Sequence, residues 1–428
     1  MEAIQKSEDR VRILGGILVL AIGTASCLRI PGQDILQKIL WAVLAVAGIW
    51  YMARSLKRMS ASRWPRLSSV RLALLLLGFW VPFLLVAVYS VVYGLITSDP
   101  LETYKQSITT SGYVLIDICM ALLIIELYRA KAFKLLAVAL IVSYAITCGV
   151  VLSDVGIQNI ITILTDDANN LLESHDVGVA VVPVLLTYGY IQFVTKEKGA
   201  LAKPDYIIVF LLILVLFACG KRSAYLSLVA GAAAMLFIRI IKKSSAAKVI
   251  CVFCFIACVA YVAVIRLGFL DQFKGALGSV SDRYYVWKYF DNQYEFSPLY
   301  LGKGLGYVHR YMESGLGTSL VSNYDYLHNS ILQIYIEAGF FGFLIWMTIY
   351  LFLIPQLAGR IMGISAENYI TCIIVSMIAM FAVDNTLTYP VYQVCLFASI
   401  GSYITLSTGT RRQENETGSE GRELERLN

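Results

Sequence analysis

The stretch "YDYLHNSILQIYIEAGFFGFLIW", Tyr324 to Trp346, begins polar and becomes, within a few residues, a nearly unbroken apolar run. That change is what a chain shows where it leaves water and enters lipid as a helix. One of only three histidines, His328, stands at the mouth of this helix. A carboxylate, Glu337, lies nine residues further in. At 100° per residue Glu337 falls about half a turn away from His328 and roughly 13 Å deeper. The two therefore have separate expected tasks, His328 in a site and Glu337 in the scaffold. Gly339 and Gly342, with Ala338, are small enough to let a neighbouring helix approach closely.

The rest of the chain agrees with a lipid environment. Of 428 residues, 58% are hydrophobic and 15% charged, and the mean hydropathy is +0.70. A soluble domain cannot cover that much apolar surface. Apolar runs long enough to span lie at 13–28, 35–53, 72–96, 108–128, 132–153, 177–195, 205–219, 223–241, 247–266, 330–354, 368–384 and 390–408. The expected fold is an all-α polytopic membrane protein of about twelve transmembrane helices. Residues 1–408 form one transmembrane domain, with a large connection, 267–329, between helices nine and ten. The tail 409–428 is polar and expected to be disordered.

Basic residues alternate from loop to loop. With the N-terminus cytoplasmic, segments 1–12, 54–71, 129–134, 196–204, 239–248, 355–367 and 409–428 carry 24 of the 35 Lys and Arg residues. The loop 154–176 has five acidic residues and no basic one. This is the positive-inside pattern. It places both termini in the cytoplasm and 267–329 outside, and it explains the net charge of +6 without nucleic acid. The first apolar run reads as a retained helix and not a cleaved leader. Cys251, Cys254 and Cys258 share a helix face and read as core residues.

Ionisable groups within membrane helices are costly and tend to be functional. Lys38, Asp117, Lys221, Arg222, Arg266, His328 and Asp384 all map to the outward ends or halves of their helices, which suggests one polar site on that side. Lys221 and Arg222 occupy a short turn in "GKRSAYLSL", where a guanidinium fork and a helix N-terminus suit a phosphate. Upstream of His328, "SDRYYVWKYFDNQYEFSPLYLGKGLGYVHR" contains Arg283 four residues before Trp287, then Pro298-Leu299 and Gly302-x-Gly304-x-Gly306. These glycines lack the strand-to-helix context of a dinucleotide fold and read as turns.

Together these pieces resemble the bacterial O-antigen polymerase and ligase superfamily. Its pattern His-Asn-x-x-Leu-x-x-x-x-Glu-x-Gly-x-x-Gly is matched without departure from His328-Asn329 through Leu332 and Glu337 to Gly339 and Gly342. The Arg-x-x-x-Trp and Pro-Leu-x-x-Gly-x-Gly elements and Arg222 match as well. The resemblance implies an architecture similar to GT-C-type membrane glycosyltransferases, with a partly helical outer loop, in the bacterial inner membrane. It implies glycosyl transfer at the outer leaflet from an undecaprenyl-pyrophosphate-linked glycan. His328, Arg222 and Arg283 become the expected catalytic residues. Lys221, Trp287, Tyr326 and Asn329 become substrate-binding, and Glu337, Gly339 and Gly342 structural. An imidazole, with an ordinary pKa of about 6.5, can take a proton from an acceptor hydroxyl. No metal or other cofactor is expected; Asp166-Asp167 is the only outer acidic pair that could hint at a metal. A chain-length regulator and a flippase are further partners that the resemblance implies.

Polymerisation of repeat units into O-antigen, capsular or exopolysaccharide is the expected activity. A ligase moving finished polymer to lipid A-core or another acceptor is the alternative, and a lipid-linked oligosaccharide flippase a more distant one. A transporter would more often carry its charged groups at mid-membrane. Reporter fusions at Ser62 and Ser314 should report opposite sides of the membrane; the same side for both would overturn the orientation.

Overall fold

The computed structural model describes residues 39, 42–43, 45–50, 53, 67–96, 101–156, 174–195, 201–242, 245–269, 281–314 and 327–427. Among them the regular structure is helical, without strands. Long apolar runs give α1 (Leu67–Ile96), α2 (Thr103–Tyr128), α3 (Ala132–Val155), α4 (His175–Tyr190), α5 (Lys203–Ala218), α6 (Arg222–Ile241) and α7 (Ala246–Arg266). The connection after α7 contains α8 (Ser281–Tyr289) and α9 (Tyr307–Glu313). Then come α10 (Ser330–Thr348), α11 (Ile354–Met362), α12 (Ile364–Phe381) and α13 (Pro390–Leu427).

Among the described residues, eight helical segments are long and apolar enough to cross a membrane. One of them, Thr103–Ser153, holds both α2 and α3, which meet at the short turn Arg129–Lys131. The protein is a polytopic membrane protein. The expected span 13–28 lies outside the described residues, as do Asp166, Asp167 and Lys38; the described part of 35–53, residues 39, 42–43, 45–50 and 53, is helical. Two boundaries differ from the hydropathy reading. The tenth expected span continues past residue 354 through α11 to Met362; Pro355 follows the π-helical turn Ile349–Leu353, which already departs from the regular i→i−4 pattern that its missing N–H would interrupt. The eleventh ends at Phe381, so Asp384 stands in the turn beyond it. Helix α13 is drawn through 409–427, the segment expected to be disordered; its Glu, Arg and Leu residues are good helix formers.

Helix α4 and residues 390–408 of α13 are largely enclosed by protein, whereas α6 and α7 are buried over only a minor part of their length. The core is rich in aromatics. Phe83 meets Trp346 edge-on at 4.6 Å between centroids, and Phe79 touches both Tyr350 and Phe397. Near the opposite end of the bundle from His328, Tyr190, Tyr369 and Tyr403 pack ring against ring, and their hydroxyls bond to Ser365 and Thr187.

Helix α10 is broken at Gly339, whose backbone lies at φ 74, ψ −178. The break prevents Phe340 from bonding back to Ile336 in the helical manner. Lipid offers no replacement partner, so the freed groups must be satisfied by protein. The segment 300–304 supplies the partners. The Lys303 N–H donates to the Ile336 carbonyl at 3.0 Å and the Gly304 N–H to the Glu337 carbonyl at 2.9 Å. The Phe340 N–H donates to the Tyr300 carbonyl at 2.9 Å, and the Tyr300 hydroxyl to the Ile336 carbonyl at 2.7 Å. The far side of the same segment is held by α1 and α2. Leu305 N–H donates to Ser90 Oγ at 2.8 Å, and the Ser107 hydroxyl donates to the Leu305 carbonyl.

This corrects the reading of the glycines in α10. Gly339 receives a loop and not a helix: a Cβ there would overlap the Leu301 carbonyl carbon and the Gly302 nitrogen. Gly342 faces the Ala338 side chain of its own helix. Glu337 bonds a neighbouring helix, at the start of α9. Its Oε1 accepts from the Val308 N–H and from Gln333 Nε2, each at 3.1 Å.

Gly339→Ala should therefore destabilise the protein through its positive φ, by about 1–3 kcal/mol, and further through the overlap with Leu301. Gly342→Ala should be milder. Thermal unfolding of the purified variants in detergent measures both; equal melting temperatures would show that the loop does not depend on Gly339.

Candidate functional site

The site is assembled by one antiparallel helix pair. Helix α6 buries Ser223, Ser227 and Gly231, spaced four apart. Small residues at this spacing let backbones approach in lipid, where packing and hydrogen bonds replace the hydrophobic drive. The Ser227 hydroxyl donates to the Ser376 carbonyl of α12 at 2.7 Å, and a Cβ at Gly231 would meet Leu186 and Ser376. This seam brings the start of α6 beside the end of α12. Lys221, just before α6, thereby meets Asp384, just after α12.

Asp384 is the hub. Lys221 Nζ lies 3.0 Å from Asp384 Oδ2, with side-chain exposures of 6% and 0%. The Ser223 hydroxyl donates to Oδ2 at 2.8 Å. On the other oxygen, the Asn385 N–H donates to Oδ1 at 3.0 Å, and His328 Nδ1 stands 3.6 Å away. The Asp384 carbonyl also accepts from both the N–H and the hydroxyl of Ser330, the first residue of α10. One residue thus joins α6, α10 and α12.

Burial by itself would raise the Asp384 carboxyl. His328, the Lys221 ammonium and the Ser223 hydroxyl outweigh it and hold the carboxyl well below the usual carboxylate range. A group whose pKa is lowered on folding contributes stability that is present above its unfolded pKa and lost only as pH falls through the folded value. Asp384 therefore remains charged throughout the neutral range.

His328 is placed with equal care. Its backbone is left-handed, φ 51, a conformation uncommon for a residue other than glycine. Three contacts around it define this turn. The Trp287 indole donates to the Leu327 carbonyl at 2.8 Å. Asn329 caps α10, its Oδ1 accepting from the Leu332 N–H at 3.0 Å. Asn329 Nδ2 donates to the Tyr261 hydroxyl at 3.0 Å, which in turn donates to the Ala382 carbonyl at 2.6 Å. The His328 side chain keeps 23% of its surface open while its carboxylate partner has none. The imidazole is thus the face that this buried network presents to solvent.

The expected site residues separate into groups. His328 and Lys221 meet at Asp384. Trp287 and Asn329 are buried and hold the backbone on either side of His328. Arg222 is the first residue of α6 and is exposed. The side chain of Arg283 and all of Tyr326 lie outside the described residues. Arg266 donates from Nε to the Tyr294 carbonyl at 3.3 Å, anchoring the connection to the end of α7. Asp384 was gathered with the outward polar residues but given no role of its own, and Ser223 and Asp176 were not assigned to the site from sequence. Asp176, at the start of α4, is an electrostatic neighbour of Lys221 and Asp384. The signal for Asp384 was its position on the same side as His328; for Ser223 it was the four-residue spacing of small residues. Among the described residues no group of three or more His, Cys, Asp and Glu side chains could hold a metal ion.

Residues 207–347, about a third of the chain, match a protein family described as O-antigen ligase. The match runs from α5 through the Lys221-Arg222 turn and the long connection to Trp346 in α10. No curated protein matches the chain.

Lys221→Met should leave a buried carboxylate without its cation and cost about 3–5 kcal/mol. Lys221→Met with Asp384→Asn removes both charges and should recover much of that loss. Unfolding midpoints of the two variants test the pairing; a double variant no more stable than the single one would show that the charges do not compensate each other.

Proposed function

In a chain whose residues 207–347 carry the motifs and the family match of the O-antigen polymerase and ligase superfamily, we propose a glycosyltransferase that polymerises polyprenyl-pyrophosphate-linked repeat units. The product is O-antigen, capsular or exopolysaccharide, made at the outer leaflet of the bacterial inner membrane with both chain termini in the cytoplasm. The observation that carries the reading is the partly open imidazole of His328 backed by the buried Asp384–Lys221–Ser223 cluster. A histidine with a carboxylate on one nitrogen presents the other as a proton acceptor.

In the reaction an acceptor sugar hydroxyl attacks the anomeric carbon of the donor glycan. A new glycosidic bond forms, the bond to the pyrophosphate breaks, and polyprenyl pyrophosphate leaves with the electron pair. His328 takes the hydroxyl proton through Nε2, and Asp384, facing Nδ1, stabilises the imidazolium so formed. Lys221 keeps Asp384 ionised. Arg222, exposed where α6 directs its free N–H groups, suits the departing pyrophosphate, with Arg283 as its partner and no metal required. Trp287 and Asn329 act as positioning residues, in place of the substrate contacts expected of them.

The ligase reading shares every residue and differs in acceptor. The family description favours it; the chain's motifs fit both. A defined polyprenyl-pyrophosphate glycan given to the purified enzyme separates them. Growth by whole repeats without another acceptor identifies a polymerase, and transfer only when lipid A-core or another acceptor is added identifies a ligase. In the same assay, His328→Ala should lose about 10²–10⁴-fold in rate. Asp384→Asn should lose less, and Arg222→Lys should rescue Arg222→Ala poorly. Glu337→Gln should keep appreciable activity because its carboxylate serves the loop. An active His328→Ala enzyme would overturn the assignment of the base.

A further inference from the structure

The segment that repairs the break in α10 pairs with the helix several turns beyond its start. Counted along α10 from Ser330, Tyr335 lies about 7 Å in, Ile336 about 9 Å and Phe340 about 15 Å. The chain follows these depths in order. The Glu295 carbonyl accepts from the Tyr335 hydroxyl at 2.8 Å. The Tyr300 carbonyl then bonds Phe340, and Lys303 returns to the level of Ile336. Residues 295–303 thus descend beside α10 to the break and climb back.

The outward side of this hairpin is apolar. Tyr300 turns inward and stacks on Tyr335 at 5.8 Å. Its two neighbours point the other way: Leu299 is 88% exposed and Leu301 65% exposed. Two leucines so exposed would be unfavourable in water. They are continuous with a surface that already faces lipid. Phe296 packs on Phe340, and Phe340 on Phe341. Phe341 and Ile345, one turn apart on α10, expose more than half their surface. Charge is kept off the tip. Glu295 precedes the descent, and the Lys303 ammonium reaches back over the Tyr307 ring at 6.0 Å, as a snorkelling lysine does.

We propose that residues 296–301 form a re-entrant hairpin whose Leu299 and Leu301 are buried among the acyl chains of the leaflet on the His328 side. The connection between α7 and α10 is then partly a membrane element. It binds lipid chains directly, and its depth is set by the hydrogen bonds exchanged with α10 at Gly339. The inference is independent of the reaction proposed above.

The wild-type protein in vesicles containing a lipid with a photoactivatable diazirine near mid-chain tests it. Adducts are expected on the peptide spanning 296–301 as well as on Phe341 and its neighbours. Adducts on Phe341 with none on 296–301 would overturn the proposal. A second measurement places a spin label at Leu299→Cys or Leu301→Cys, with Ser314→Cys for comparison and labelled wild type as background. Collisions with oxygen should exceed those with a water-soluble nickel chelate at 299 and 301, and the reverse should hold at 314. Labels at 299 and 301 reached mainly by the chelate would put the tip in water. Labels reached by neither would put it under a protein partner. Either result overturns the insertion.

Discussion

A carboxylate with no exposed surface at the edge of a membrane is the constraint around which this protein is organised. Desolvating one ion costs several kcal/mol, and Asp384 recovers that cost from a lysine 3.0 Å away, a serine hydroxyl and a backbone N–H. Lys221 and Ser223 come from the start of α6, and His328 and Ser330, at the start of α10, meet the same residue from the other side. The requirement that Asp384 be satisfied therefore also requires that α6, α10 and α12 end at one place. His328 gains its location from this arrangement, since the Asp384 carbonyl receives the first residue of its helix.

The second organising feature is the interrupted helix α10. An α-helix satisfies its own backbone, which is why it can cross lipid at all. Breaking it at Gly339 exposes three backbone groups at depth, and the glycine-rich segment 300–304 covers them. Glycines at 302, 304 and 306 all have positive φ. That backbone conformation lets their N–H and carbonyl groups face α10 on one side and α1 and α2 on the other. The motif glycines upstream of His328 and the motif glycine of α10 are thus two halves of one contact. Glu337 closes it by accepting from the Val308 N–H.

The proposed chemistry draws on the contrast between the two acidic residues. Glu337 is buried and committed to a backbone donor at the start of α9 and to the Gln333 amide one turn earlier in α10. Asp384 is buried but adjacent to a side chain that reaches solvent. A carboxylate that holds an imidazole in register stabilises positive charge as it forms there. One that caps a loop contributes rigidity. The family match covers Glu337 and its partners Val308 and Gln333 and ends at 347, before Asp384.

Much was legible in the chain itself. Hydropathy located α1–α7, α10, α12 and the membrane part of α13 to within a few residues, because a lipid-spanning helix must be apolar over its whole length. Polar residues stood out against that background, and seven were gathered to one side by counting helix ends. His328 and Glu337, set apart by their spacing, have different neighbours in the structure. What the sequence left open was which faces meet. Ser223 and Asp384 are 161 residues apart, and no period in a lipid-exposed sequence marks one apolar face as packed and another as bare. The pairing of α6 with α12 follows from shape complementarity between small residues on both helices, and the break at Gly339 from a loop distant in sequence. Length, polarity and motif are local properties of the chain; the ion pair at Asp384 and the loop in α10 arise only when separated segments share the same few ångströms.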